Sequence, residues 1–312
     1  MTTSGTSNVA VVGPGAIGTT IAAALHQVGR TPRLYGRTAR DRLELHAPAG
    51  HLVVPGPVQV DVTRDVTPVD LVFLAVKATQ VDAAAPWLAA LCRADTIVCV
   101  LQNGVEQETV VAEHTRLGRV LPSVVWFPAQ TRADGAVWLR AQARLTVPDT
   151  EPGRAVSAVL AGSLCTVEAA ADFRSLAWRK LMQNALAGLM ALTGRRAGMF
   201  ARADLTELGL AYLRECLAVA RAEGADLDDQ VPREIIDTFR TYPADMGTSI
   251  LADREAGRPL EWDVRNGSCC AAGATTASRH PSATLWFRCS RPPATGRDDA
   301  GVSPRTLAGH SG

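Results

Sequence analysis

Lysine is nearly missing from this chain of 312 residues: all but two of its 32 basic side chains, Lys77 and Lys180, are arginine. Either two lysines simply survived drift, or both sites need what guanidinium cannot supply: a compact point charge able to give up a proton. Histidine is scarce as well, and the six present form no HxxxH or HExxH pair, so a metal enzyme is not expected. The seven cysteines show neither metal-ligand nor disulfide-framework spacing, and the opening "MTTSGTSN" lacks the apolar core of an export signal. Reduced thiols in a cytoplasm are the expectation. No stretch has the length and apolarity of a membrane span. A net charge of +1 gives no global argument for nucleic acid or a membrane surface as partner. Hydrophobic residues, by contrast, make up 47% of the chain, enough to bury a large core. The length suits about two domains.

That hydrophobic content is organised. "NVAVVGPGAIGTTIAAALHQVG" reads as a buried strand over 8–12, then Gly13, Gly15 and Gly18 in GxGxxG, with Ala16 and Ile17 opening a helix that runs to about Val28. A bare GxGxxG is weak evidence; directly after a strand and at the start of an Ala/Ile/Leu helix it is the dinucleotide-binding fingerprint. Gly13 permits the tight turn, Gly15 lets backbone approach a pyrophosphate, and Gly18 allows helix and strand to pack closely. The helix N-terminus aims N–H groups at the phosphates. The second strand, "PRLYGRT", presents Gly36, Arg37 and Thr38 where an NAD-binding unit places a carboxylate for the ribose 2′-hydroxyl. Arginine without that carboxylate suits a 2′-phosphate, so NADPH is the expected cofactor; an ordinary solvated arginine is the alternative.

Two further buried strands, "VDLVFLAVKATQ" and "DTIVCVLQNGVEQE", end at Lys77 and at Gln102, Asn103 and Gly104. Ligands of open parallel sheets sit beyond the carboxyl ends of the strands, which gives those polar residues a role, although an Asn-Gly turn alone would also explain Asn103. "RVLPSVVWFPAQ" and "GAVWLRAQARLTVP" are expected to complete the sheet's edge. From about Val167 the reading becomes helical. In "FRSLAWRKLMQNALAGLMALTG", Trp178, Met182, Ala185, Leu189 and Leu192 form one apolar face, while Lys180 and Asn184 stand at i and i+4 on an adjacent one. The expectation is an α/β chain: an N-terminal Rossmann-type dinucleotide-binding domain, residues 1–166, followed by an all-α substrate domain, residues 167–267.

Five motifs in order, "GPGAIG", "AVKATQ", "QNGVE", "AWRKLMQNA" and "TSILADREAGRPLEWDVRNG", resemble the set found in ketopantoate reductases. The resemblance spans roughly 8–267 and implies NADPH-dependent reduction of a small-molecule 2-keto acid to the 2-hydroxy acid, a step of pantothenate synthesis; it leaves room for a homodimer. By position, it makes Lys180 the catalytic lysine and Glu261 the acidic residue of the catalytic and substrate site, there either to orient that ammonium or to bind a substrate hydroxyl. Asn103, Asn184 and Ser249 become polar contacts to substrate or nicotinamide, and Lys77 the lysine beside the cofactor. Hydride delivery to a ketone builds negative charge on oxygen, which a lysine stabilises and protonates. Partial burial on an apolar helix would tune such a lysine downward. Ser249 could equally serve as a helix cap. Members of the family carry a second asparagine one turn past Asn184, where this chain has Gly188; the missing amide leaves space for a different 2-oxo acid.

After Asn266 the character changes: "GSCCAAGATTASRHPSATLWFRCSRPPATG" has no acidic residue and no helical stripe. Back-translated and read one nucleotide out of register, it is compatible with two amphipathic helices. The sequence therefore reads as frameshifted beyond that point, with 268–312 a disordered tail and an inactive nucleotide-binding product as a competing reading.

Overall fold

The computed structural model describes residues 8–64, 66–115 and 118–261, so the expected tail and the change after Asn266 lie outside the described residues. The first half is built on a parallel sheet. Its strands are β1 (Val9–Val12), β2 (Arg33–Tyr35), β5 (Val58–Gln59), β6 (Leu71–Leu74), β7 (Ile97–Val100) and β8 (Arg119–Pro122), in the order β5-β2-β1-β6-β7-β8. β1, β6 and β7 are buried along their whole length, as a sheet covered on both faces requires. Helix α1 (Ala16–Gln27) covers one face, and α2 (Val81–Leu91) with the short α3 (Gln107–Ala112) the other, where Trp87, Leu88 and Leu91 meet Val72 and Leu74.

Only the first of the two stretches expected at the sheet's edge contributes to it, through β8. The rest builds two smaller sheets. Hairpin β3 (Arg42–Ala47) and β4 (Gly50–Pro55) joins β10 (Ala129–Thr131) and β11 (Val137–Leu139) in the order β10-β11-β3-β4. β9 (Val124–Val125), β12 (Ala143–Pro148) and β13 (Cys165–Ala170) form the order β13-β12-β9, packed under α4 (Glu151–Leu160). The reason lies in α1. Leu43, Leu45, Val54, Val137 and Leu139 point inward from the second sheet and share one core with Ile21 and Leu25, so α1 is enclosed between two sheets. Its alanines at 22, 23 and 24 are completely buried; only small side chains fit a helix packed on both sides.

The second half is helical: α5 (Phe173–Thr193), α6 (Ala203–Ala222), α7 (Val231–Thr241) and α8 (Ser249–Glu255). The division expected at residue 166 falls inside β13, and the chain enters α5 only after Asp172, whose side chain caps the helix by accepting from Ser175 N at 3.1 Å. Gly194 ends α5 in the left-handed region, φ 67°. Trp178, Met182, Ala185 and Leu189 are buried as the apolar stripe demands, and Leu192 is half-buried. From Asn184 to Ala191 the burial extends all the way round, because α6, α7 and α8 all pack against α5. The molecule is thus an α/β Rossmann-type domain followed by a helical domain.

Candidate active site

The glycines of the first turn differ in what surrounds them. Gly13 has φ +87° and donates its N–H to Tyr35 O at 2.8 Å; a Cβ there would sit 2.7 Å from Val76 Cγ1. A Cβ on Gly18 would lie 2.4 Å from the carbonyl oxygen of Gly13, so the helix can approach the turn only without one. Gly15, the residue that precedes Ala16 and Ile17 at the start of α1, faces open space: an added Cβ meets nothing within 4 Å. The first turn of α1 carries no acidic side chain to oppose an anion. Arg37 is exposed just past β2 and makes no ion pair among the described residues. Open backbone at Gly15, a helix N-terminus and an exposed guanidinium fit a dinucleotide with its phosphates on α1.

Beyond β7 the backbone is fixed from within. Gln102 Nε2 donates to Val76 O at 3.0 Å, bracing the turn after β7 against the turn after β6. Buried Gln107 donates to the carbonyls of Gln102 and Ser123, and accepts from Ser123 N at 3.2 Å. Asn103 is held on this braced turn, and its Oδ1 accepts from Asn184 Nδ2 of α5 at 3.1 Å. Asn184 is only 9% exposed, so this bond between the two halves is shielded from water. One turn earlier on α5, half-buried Lys180 lines the same small pocket as Gln102, Asn103, Gly104 and Ser123. Its ammonium lies 4.7 Å from the ring centre of Trp126, within cation–π range. The Trp126 ring is itself held: its Nε1 donates to Thr146 Oγ1 at 2.9 Å, and the Arg144 guanidinium lies 5.0 Å from the same ring.

A second set of contacts crosses between the halves. Lys77 Nζ pairs with Asp253 Oδ2 of α8 at 2.8 Å, while the other oxygen of Asp253 pairs with Arg258 at 2.7 Å. The backbone N–H of Ala78 donates to Glu261 Oε1 at 3.1 Å, with Glu261 9% exposed. Ser249 is exposed at the first position of α8, but the cap is the neighbouring Thr248, which accepts from Leu251 N at 3.4 Å. The capping alternative for Ser249 therefore passes to Thr248. The structure brings Asn103 and Lys180 to one pocket, bonds Asn184 to Asn103 beside it, and ties Lys77 and Glu261 into the contacts between halves. Trp126 and Asp253 escaped the sequence reading. A tryptophan in an apolar run reads as core, and an aspartate in an "ADRE" helix reads as a solvated face.

A glycine cradle at the head of a parallel sheet, with a lysine and amides beyond the strand ends against a helical domain, defines a nicotinamide-dependent oxidoreductase. Comparison with known proteins makes the class specific. Residues 9–152 match the model "Ketopantoate reductase PanE/ApbA", and residues 172–290 the model of that family's C-terminal part. The chain belongs to the ketopantoate reductase family. A 2-dehydropantoate 2-reductase of Mycobacterium tuberculosis is 52% identical over 262 residues, covering 84% of this chain and 89% of that relative. One from Caulobacter vibrioides is 34% identical over 277 residues, covering 88% and 95%. The solved structure of a dimeric ketopantoate reductase from Staphylococcus aureus superposes with a TM-score of 0.83 at 26% identity, covering 91% of this chain and 97% of that one. The second family match continues past Asn266. Among the described residues no helix is long and apolar enough to cross a membrane.

Proposed function

We propose that the chain reduces ketopantoate, the 2-oxo acid its relatives are named for, to the 2-hydroxy acid with NADPH. The observation that carries this reading is the Asn184–Asn103 hydrogen bond, which fastens the Lys180 turn of α5 against the carboxyl end of β7. The turn into α1 would hold the dinucleotide's phosphates, and the bound nicotinamide would supply the hydride for the ketone carbon. Lys180 stabilises the charge that grows on the carbonyl oxygen and gives up the proton that the new hydroxyl needs. Asn103 and Asn184 orient the oxo acid, Glu261 and Ser249 contact it from the side of α8, and Lys77 lies beside the cofactor. Arg37 receives the 2′-phosphate, which sets NADPH ahead of NADH.

Nicotinamide absorbance with NADPH and ketopantoate tests the reading directly. Lys180→Ala is expected to lower kcat by about a hundredfold or more while leaving NADPH affinity nearly unchanged; unchanged turnover removes Lys180 from the reaction. Arg37→Asp is expected to weaken NADPH far more than NADH, and equal losses refute the 2′-phosphate role. One observation supports a second substrate reading: Gly188 is buried one turn beyond Asn184, with no side chain to hold an acid there. A kcat/KM higher for another 2-oxo acid than for ketopantoate favours that reading. Cofactor binding without turnover of any 2-oxo acid overturns both.

A further inference from the structure

The hairpin of β3 and β4 lies outside the nicotinamide cleft, in the sheet that wraps α1. Its pairing register sets His46 directly opposite His51. Glu44, two residues before His46, shares that face because side chains alternate along a strand. One carboxylate and two imidazoles are therefore gathered by backbone register alone, and their donor atoms all lie within 4.8 Å of one another. The two rings stack at 4.4 Å between centres and 15° between planes, and His51 Nε2 lies 3.4 Å from Glu44 Oε2. Arg42 occupies the other oxygen, Oε1, at 2.7 Å, leaving Oε2 for a further partner. Trp138, opposite His46 on β11, walls one side with its ring centre 6.0 Å from that of His46.

We propose that Glu44, His46 and His51 form a surface site for a divalent transition cation of the zinc class, bound by two imidazoles and one carboxylate. Borderline cations prefer this donor set: Zn²⁺, Co²⁺, Ni²⁺ and Cu²⁺ take imidazole and carboxylate together, whereas Mg²⁺ and Ca²⁺ favour all-oxygen shells. In a tetrahedral site with metal–ligand distances of about 2.0–2.2 Å, donors stand roughly 3.3–3.6 Å apart. Closing from the present spacing calls for rotation of side chains of which His51 is exposed and Glu44 and His46 are half-buried. Three protein ligands leave a coordination position for water or a small anion. The spacing E-x-H on one strand with a histidine across the hairpin is not a helical HxxxH pattern, which is why the sequence alone gives no sign of it.

The test is titration of the metal-stripped full chain with Co²⁺, followed by visible ligand-field absorption, calorimetry and competition with Zn²⁺. One equivalent is expected to bind through nitrogen and oxygen donors. His46→Asn and His51→Asn should each weaken it by about a hundredfold, and Glu44→Gln by about tenfold. Thermal melting of the three variants establishes that they fold. No binding by the wild type at micromolar to millimolar Co²⁺ overturns the proposal. So does equal binding by wild type and histidine variants, as a thiolate charge-transfer band retained in those variants would show by placing the cation on cysteine.

Discussion

Lys180 stands over the Trp126 ring, a contact that helps to place its ammonium. A cation over an indole face gains about 0.5–2 kcal/mol, and the ring is fixed by Thr146, so it acts as a positioning surface for the lysine. Trp126→Ala is expected to lower kcat by about tenfold, with the KM for NADPH nearly unchanged. Trp126→Phe, which keeps a ring face, should restore most of the loss; steady-state kinetics distinguish this from a general loss of fold, which would move both constants. Lys180 stood out in the sequence because lysine is so rare there and because an ammonium on an apolar helix demands an explanation, and Asn184 stood out one turn beyond it; their meeting with Asn103 beyond β7 appears only in the fold. Trp126 was not legible: nothing local tells a strand tryptophan in the core from one lying beneath a charge 54 positions later in the chain. The partners of Lys77 and Glu261 were hidden for the same reason, since Asp253 and Ala78 N meet them only after the two halves close.

At the scale of the element, the turn into α1 separates fold from binding. Gly15→Ala places its methyl in open space, so the melting temperature should hold while NADPH affinity falls. Gly18→Ala forces a methyl against the Gly13 carbonyl and should destabilise the domain by about 1–3 kcal/mol, read from denaturant midpoints. The strand–glycine–helix unit was readable because its signals are local: a buried strand, glycines at fixed offsets and an alanine-rich helix. The edge of the sheet was not. β9 to β12 have the composition of strands, but which strand each one pairs with depends on register and on the space around α1. Neither is written in a single segment's pattern. The alanines of α1 did carry that information, as a helix with sheets on both sides has no room for larger residues.

At the scale of the whole molecule, the buried thiols set an alkaline limit. Burial raises Cys92 to about 11 and Cys99 and Cys165 to about 12, against an ordinary 9.0. Between pH 9 and these values the unfolded chain has lost thiol protons that the folded chain retains, so stability is complete below pH 9 and declines as pH rises toward 12. The slope is about 1.4 kcal/mol per pH unit for each thiol fully ionised only in the unfolded state. Urea midpoints measured across this range should fall, and Cys165→Ser should flatten the decline. The division into two halves was plain from the change of pattern near Val167, though its position shifted because β13 continues the first half to Ala170. The crossing there is short: β13 ends at Ala170, Asp172 already caps α5, and Ser175 Oγ accepts from Asp226 N at 2.6 Å. Ala171 alone separates strand from cap. The consequence concerns rigidity. The halves meet again at Lys77–Asp253, Ala78–Glu261 and Asn184–Asn103, so their relative orientation is held by a one-residue crossing and by side-chain contacts far from it in the chain, with no linker between them to flex.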